Sequence, residues 1–256
     1  MESQFTRTEL LLGQEAMKRL RASRVVVFGV GGVGGYVVEV LARSGVGAIA
    51  MVDPDRVNLS NLNRQIVALH STVGRLKVDV MEERIRDINP DCEVQKFPLF
   101  YLPENADEID LSQYDYVVDC VDTVKAKLEI IRRCHRLQIP VISSMGAANK
   151  LDPTAFRVSD IAKTSMDPLA KVLRKTLRKE EIRHFKVVYS EEKAPSPPPP
   201  TGGGVSPMES NDQKEPPIVG GGWREPCKQP LPSCAFVPAA CGLVVGGEVV
   251  KNLAGL

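Results

Sequence analysis

The chain has 256 residues, and its 33 lysines and arginines nearly balance 32 aspartates and glutamates, leaving a formal net charge of +1. With 43% hydrophobic and 25% charged residues, it has the composition of a soluble protein that buries a core, in one large domain or two small ones. The near-zero net charge excludes a wholly basic nucleic-acid binder but leaves room for a local basic patch.

Thr8–Arg21 carries Leu10, Leu11, Leu12, Met17 and Leu20 and predicts a helical N-terminal arm. Val25–Phe28 is a continuous β-branched and aromatic run, the mark of a strand buried on both faces. Glycines follow, then a helix over Gly34–Ser44 that Gly45 ends. Ala48–Val52 is a second strand, closed by Asp53-Pro54. A helix over Arg75–Ile88 buries Val78, Met81, Ile85 and Ile88 and stops before Asn89-Pro90. Cys92–Pro98, Tyr116–Val121 and Val141–Ser144 are strands, with a helix over Thr123–Leu137 before the last. Thr154–Ile161 is an antiparallel addition, Pro168–Arg183 a basic helix and Lys186–Ser190 a strand. The alternation predicts an α/β fold: a Rossmann-like, doubly wound, mostly parallel sheet with antiparallel C-terminal additions.

Between Ala194 and Pro232 stand 11 prolines and 6 glycines in 39 residues. Such a segment cannot bury enough apolar surface to offset its ordering entropy. It reads as a disordered insertion, with a proline-rich partner ligand or a substrate flap as the sharper alternatives. The folded domain is then 1–193 plus 233–256. The apolar stretch Ala235–Gly247 has 13 residues, short of the roughly 20 a membrane span needs. It reads as a strand and a buried helix, and membrane contact is left open. No basic segment followed by a long apolar run opens the chain, and no two of the six cysteines stand in a CxxC spacing. Reduced thiols in the cytoplasm are therefore expected. Buried structural roles suit Cys234 and Cys241.

Gly29-Val30-Gly31-Gly32-Val33-Gly34 lies between a buried strand and a helix. Glycines there let backbone approach a phosphate, and the helix N-terminus supplies N–H donors. Asp53, at the end of the second strand, is placed to bind ribose hydroxyls. These features alone do not choose between NAD and ATP, and a ligand-free turn is the plain alternative. The run Asp53-Pro54-Asp55-Arg56-Val57-Asn58-Leu59-Ser60-Asn61-Leu62-Asn63-Arg64-Gln65, with Lys77 and Asp122 further on, favours ATP. Arg64 and Lys77 would neutralise a triphosphate, and a carboxylate (Asp55 or Asp122) would hold Mg2+. Singly, the two cations could be surface charges and Asp122 a helix N-cap.

These residues resemble the ThiF/HesA family of ubiquitin-activating-like adenylating enzymes, over Arg7 to about Ile161 and Phe236–Leu256. Ser60–Gln65 is the most specific motif. The resemblance implies that Gly29, Gly31, Gly32 and Gly34 form the phosphate cradle and that Asp53 and Asp55 serve the nucleotide. It implies phosphate contacts from Asn61, Arg64 and Lys77, a nucleotide-binding place for Gln65, and Mg2+ on Asp122. It also implies a homodimer in which Arg7 reaches the partner's ATP site. Within the family, Ser143–Thr154, Val158–Thr164 and Asp167–Leu169 resemble the tRNA threonylcarbamoyladenosine dehydratases. That branch implies ATP-dependent adenylation of a threonyl carboxylate beside the anticodon, then ring closure with release of AMP. The alternatives are an adenylyltransferase for a ubiquitin-like sulfur carrier, which the missing CxxC pair disfavours, and an ATP-binding sulfur-relay partner. A monovalent cation and a cysteine-desulfurase or sulfur-acceptor partner are left open.

Lys171, Arg174, Lys175 and Arg178 share one face of the basic helix, with Leu169, Val172, Leu173 and Leu177 opposite. This face is a solvated surface or, as the resemblance favours, a phosphate-backbone rail for tRNA rather than DNA.

Overall fold

The computed structural model describes residues 3–193 and 231–256. The insertion expected at 194–232 thus lies outside the described residues, save its last two. Seven strands form one sheet: β1 (Arg24–Phe28), β2 (Ala48–Val52), β3 (Glu93–Phe97), β4 (Tyr116–Asp119), β5 (Val141–Ser144), β6 (Phe156–Asp160) and β7 (Lys186–Ser190). Their spatial order is β3-β2-β1-β4-β5-β7-β6. Every pairing is parallel except β6 with β7, where Phe156 stands opposite Ser190. The order reverses between β1 and β4, where doubly wound sheets open their ligand crevice at the carboxyl ends of the strands.

The helices are α1 (Thr6–Leu12), α2 (Gln14–Ala22), α3 (Gly34–Arg43), α4 (Lys77–Ile88), α5 (Val124–Leu137), α6 (Pro168–Leu177) and α7 (Phe236–Ala254). Alternation along β1 explains why both faces are covered. Val25 and Val27 join the cluster that contains α3, α4 and α7, while Val26 and Phe28 pack with Ile130 and Cys134 of α5 on the other face. A third cluster seats α6 through Ala170, Leu173 and Leu177.

Four expectations need correction. The N-terminal arm is two helices, broken at Gly13 with φ +86°. Ile88 is half-buried, and Val80 takes a place in the buried face of α4. The basic helix stops at Leu177, followed by a single 3-10 turn, and Val172 is exposed rather than packed. The strand expected at the start of Ala235–Gly247 is helix instead: among the described residues, α7 runs unbroken for 19 residues.

By length and hydropathy α7 could cross a membrane, yet one face is buried against α3. A Cβ on Gly242 would lie 2.4 Å from the Val33 carbonyl, and one on Gly246 2.8 Å from Val40 Cβ. The two glycines, four residues apart, let the helix backbones meet. At the other end of α7, Glu248 Oε1 and Asn252 Oδ1 each lie 2.6 Å from Lys186 Nζ. Burial alone would raise Glu248, but its bonds with Lys186, Lys251 and Asn252 hold the carboxyl at about 2. Lys186 is therefore committed to the fold rather than to the basic surface.

Candidate active site

The glycine loop leaves β1 at the switch point and enters α3, as the sequence predicts. Its glycines do two jobs. Gly29 has φ +87°, and a Cβ there would lie 2.8 Å from the Cys120 carbonyl; a Cβ on Gly34 would lie 1.8 Å from the Gly29 carbonyl. These two are needed to fold the loop on itself and against the end of β4. Gly31 and Gly32 instead face side chains rather than backbone. Near Gly31 only the Gln65 amide comes within 4 Å of a Cβ position, at 3.8 Å; near Gly32 stand Pro238 at 3.2 Å and the Arg64 stem at 3.4 Å. The first turn of α7 thus forms one wall of the cradle, a neighbour that sequence spacing does not disclose.

Asp53 is buried and accepts the Val30 amide at 2.7 Å on one carboxylate oxygen and the Asp55 amide at 2.9 Å on the other. It therefore clasps the glycine loop to the segment that follows β2. Burial raises its carboxyl above the ordinary value; Lys77 and the two amides oppose the rise. Lys77, also buried, points its ammonium at Asp55 (2.8 Å) and Asp53 (3.7 Å). The ammonium, expected on phosphate, rests here on the two carboxylates at the end of β2.

Asn61 is buried, and its side-chain oxygen accepts the Asn58 amide at 3.0 Å, shaping the turn that presents Arg64. Arg64 Nη1 donates to the Ser60 carbonyl (3.0 Å) and Asn63 Oδ1 (2.8 Å). Gln65 is buried, and its Oε1 has no hydrogen-bond partner among the described residues. The Gln65 atom that faces Gly31 is the amide nitrogen, so the side chain presents N–H donors to the glycines while its buried oxygen lacks a partner.

Asp122 is exposed on the turn after β4 and accepts the Thr123 hydroxyl at 3.3 Å; the helix cap is Thr123 itself. No group of three metal-ligating side chains occurs among the described residues. Mg2+ commonly takes one or two carboxylates and completes its shell with substrate phosphates and water, so one carboxylate beside a phosphate cradle fits it. Arg7 is exposed on α1, next to Leu10 and Leu11, each 83% exposed. Lys171 and Lys175 of α6 are exposed together with Arg178 and Lys179 of the turn that follows it, while Arg174 is half-buried and ties the helix to the Ile161 and Thr164 carbonyls and the Thr164 hydroxyl.

Sequence reasoning missed a buried ion pair beneath the turn. Lys127 Nζ lies 3.1 Å from Asp119 Oδ2, with both side chains essentially inaccessible. Its signal was available: Lys127 falls on the buried stripe of α5 with Ile130, Ile131 and Cys134. Cys92, Cys120, Cys134 and Cys241 do not resemble activated nucleophiles, because burial raises each thiol. Burial pushes the thiols of Cys92 and Cys241 to about 11 and that of Cys134 to about 12. Cys227 lies outside the described residues. A hollow of about 350 Å³ lined by Cys134, His135, His184 and Lys186 opens at the far end of the sheet and contains none of the glycine-loop or Asp53–Lys77 residues.

Comparison with known proteins agrees with the geometry. The ThiF family model matches residues 5–256. The chain is 46% identical over 254 residues to the tRNA threonylcarbamoyladenosine dehydratase of Bacillus subtilis, covering 99% of this chain and 95% of that protein. Solved structures of E. coli tRNA N6-threonylcarbamoyladenosine dehydratase in complex with AMP and with ATP match with TM-scores of 0.81 and 0.80. Both are 32% identical, and each match covers 98% of this chain and 94% of the other.

Proposed function

Because the chain belongs to the ThiF family, we propose that it dehydrates N6-threonylcarbamoyladenosine in tRNA at the cost of ATP, through an adenylated carboxylate. The observation that carries this reading is the glycine loop at the switch point, with Gln65 facing Gly31 and the Arg64 stem beside Gly32, in a chain similar along its whole length to the Bacillus dehydratase. The threonyl carboxylate attacks the α-phosphorus of ATP and pyrophosphate leaves. An atom of the same nucleoside then attacks the acyl carbon, AMP leaves and a ring closes. The net change is loss of water from the nucleoside. Ring closure is intramolecular, so proximity supplies much of the rate and no protein nucleophile is needed.

The residues divide the work as follows. Asp53 accepts hydroxyls of the ribose, and Gln65 supplies a further polar contact at the cradle. Asn61, Arg64 and Lys77 balance the charge of the phosphates, which must approach a second anion, the substrate carboxylate. Asp55 shares Lys77 and holds it at the mouth of the cradle when no phosphate is there. Asp122 would hold Mg2+, and the ion would supply Lewis-acid stabilisation of phosphate charge. Arg7 of one protomer completes the site of its partner in a homodimer, a role that suits an exposed cation flanked by exposed leucines. Lys171, Lys175 and Arg178, extended by Lys179, follow the tRNA backbone, and Arg174 seats their helix. A tRNA substrate places the reaction in the cytoplasm.

The test uses tRNA carrying N6-threonylcarbamoyladenosine, with ATP and Mg2+. The modified nucleoside should lose the mass of one water while AMP and pyrophosphate appear, and Arg64→Ala or Asp122→Ala should abolish AMP formation. Unchanged tRNA, with pyrophosphate exchange driven by a small Gly-Gly-ending protein, would point to carrier adenylation instead.

A further inference from the structure

Asp119 and Lys127 take no direct part in this chemistry, yet they lie under the turn that carries Asp122. Lys127 Nζ donates to Asp119 Oδ2 (3.1 Å), to the Ser144 carbonyl (2.7 Å) and to Ser143 Oγ (3.4 Å). The Ser143 hydroxyl in turn donates to Asp119 Oδ2 at 2.6 Å. One carboxylate oxygen is thereby locked to α5 and β5. The other, Oδ1, accepts the Val121 amide at 3.2 Å and so orients the first residues of the turn.

That turn bears directly on the cradle. The Cys120 amide donates to the Phe28 carbonyl at 2.8 Å; a Cβ added to Gly29 would strike the Cys120 carbonyl, and one on Gly34 would lie 3.2 Å from Cys120 Cβ. A shift in the turn would therefore press on the glycine loop and move Asp122 as well. Stability alone is a weak reason for such a pair, since well-packed apolar residues of similar volume commonly serve a core as well as a buried ion pair does.

We propose that Lys127 and Ser143 are positioning residues: through Asp119 they set the Cys120–Thr123 turn against the glycine loop and fix both the nucleotide cradle and the place of Asp122. This rests on the reading of the cradle as an ATP site. It gives the buried cation an orienting role, with no contact to the nucleotide.

The experiment compares the full chain with its Lys127→Met and Ser143→Ala variants. Calorimetry measures ATP affinity without metal, AMP formation is titrated with Mg2+, and thermal melts record folding. ATP affinity should fall about tenfold in Lys127→Met and several-fold in Ser143→Ala, as expected for a misplaced but intact site. The Mg2+ concentration for half-maximal rate should rise in both. Ser143→Thr, which keeps the hydroxyl, should bind ATP more tightly than Ser143→Ala. Should Lys127→Met fail to fold, Ser143→Ala and Ser143→Thr decide the matter. Lower melting temperatures with unchanged ATP affinity and unchanged Mg2+ dependence would reduce the pair to core structure and overturn the proposal. Failure of the wild-type chain to bind ATP would overturn the reading of the cradle itself.

Discussion

At Asp53, one side chain carries a fold-building task and, under the proposed function, a ligand-binding one. Its carboxylate is buried, clasps two backbone amides and faces the Lys77 ammonium. Burial raises its carboxyl, so it takes up a proton at higher pH than an ordinary aspartate. A ribose hydroxyl needs the deprotonated acceptor. ATP affinity should therefore be full at neutral pH and begin to fall on acidification before the ordinary carboxylate range is reached. Asp53→Asn should bind weakly with no such acid limb, and parallel binding profiles for variant and wild type would remove Asp53 from the ribose site. The placement of the candidate residues was legible because most stand on two short segments whose order follows the sheet: the glycine loop after β1 and the Asp53–Gln65 run after β2. Lys127 was not legible as part of its foundation. A lysine on an amphipathic helix reads as a surface charge unless its place on the apolar stripe is weighed, and its partners Asp119 and Ser143 come from two other elements.

The same limit governs α7 at the scale of elements. Its composition is apolar nearly all round, so periodicity does not reveal which face is buried, and the segment expected as a leading strand is helix. What fixes the helix is close approach: Gly242 meets Val33 and Tyr36, Gly246 meets Val40, and Pro238 reaches Gly32. Val33 caps α3 and lies inside the glycine loop, so α7 packing and cradle geometry are one problem. Gly242→Ala should consequently cost about 1–3 kcal/mol in chemical denaturation, the usual range for overpacking a tight core. It should also weaken ATP binding, although position 242 touches no ligand. Loss of stability without loss of affinity would mean that the loop accommodates the displaced helix. By contrast, β1, β2, β5 and β7 fell within a residue of their expected bounds, because each is a short apolar run between clear breaks. Helix ends were less legible: α4 begins at Lys77 and α6 ends at Leu177, where local turns replace helix in sequence that is equally polar on both sides.

Over the whole molecule, a net charge of +1 conceals an uneven surface, and the proposed reaction requires that unevenness. The exposed cations of α6 lie on the β5–β7 side of the sheet, while the cradle opens at the β1–β4 switch. Reversing Lys171, Lys175 and Arg178 to glutamate should weaken tRNA binding. It should also flatten the dependence of log affinity on log salt by roughly 0.7–0.9 for each phosphate no longer neutralised. An unchanged slope would assign the helix face to solvent. The N-terminal arm poses the second whole-molecule question, because Arg7 sits on a seven-residue helix with Leu10 and Leu11 turned outward. If Arg7 serves the partner's site, Arg7→Ala and Arg64→Ala place their defects on different sides of one composite site. Each variant alone leaves both sites of its dimer damaged. In a mixed dimer one site collects both defects and the other has none. Random exchange of equal amounts should then restore about a quarter of the sites, as two-fold symmetry requires. The measurement is AMP release after the two inactive variants are mixed and allowed to exchange subunits, with each variant incubated alone as the control. Recovery of activity only in the mixture requires Arg7 to act across the interface. Without recovery, despite proven subunit exchange, Arg7 works within its own chain or not at all.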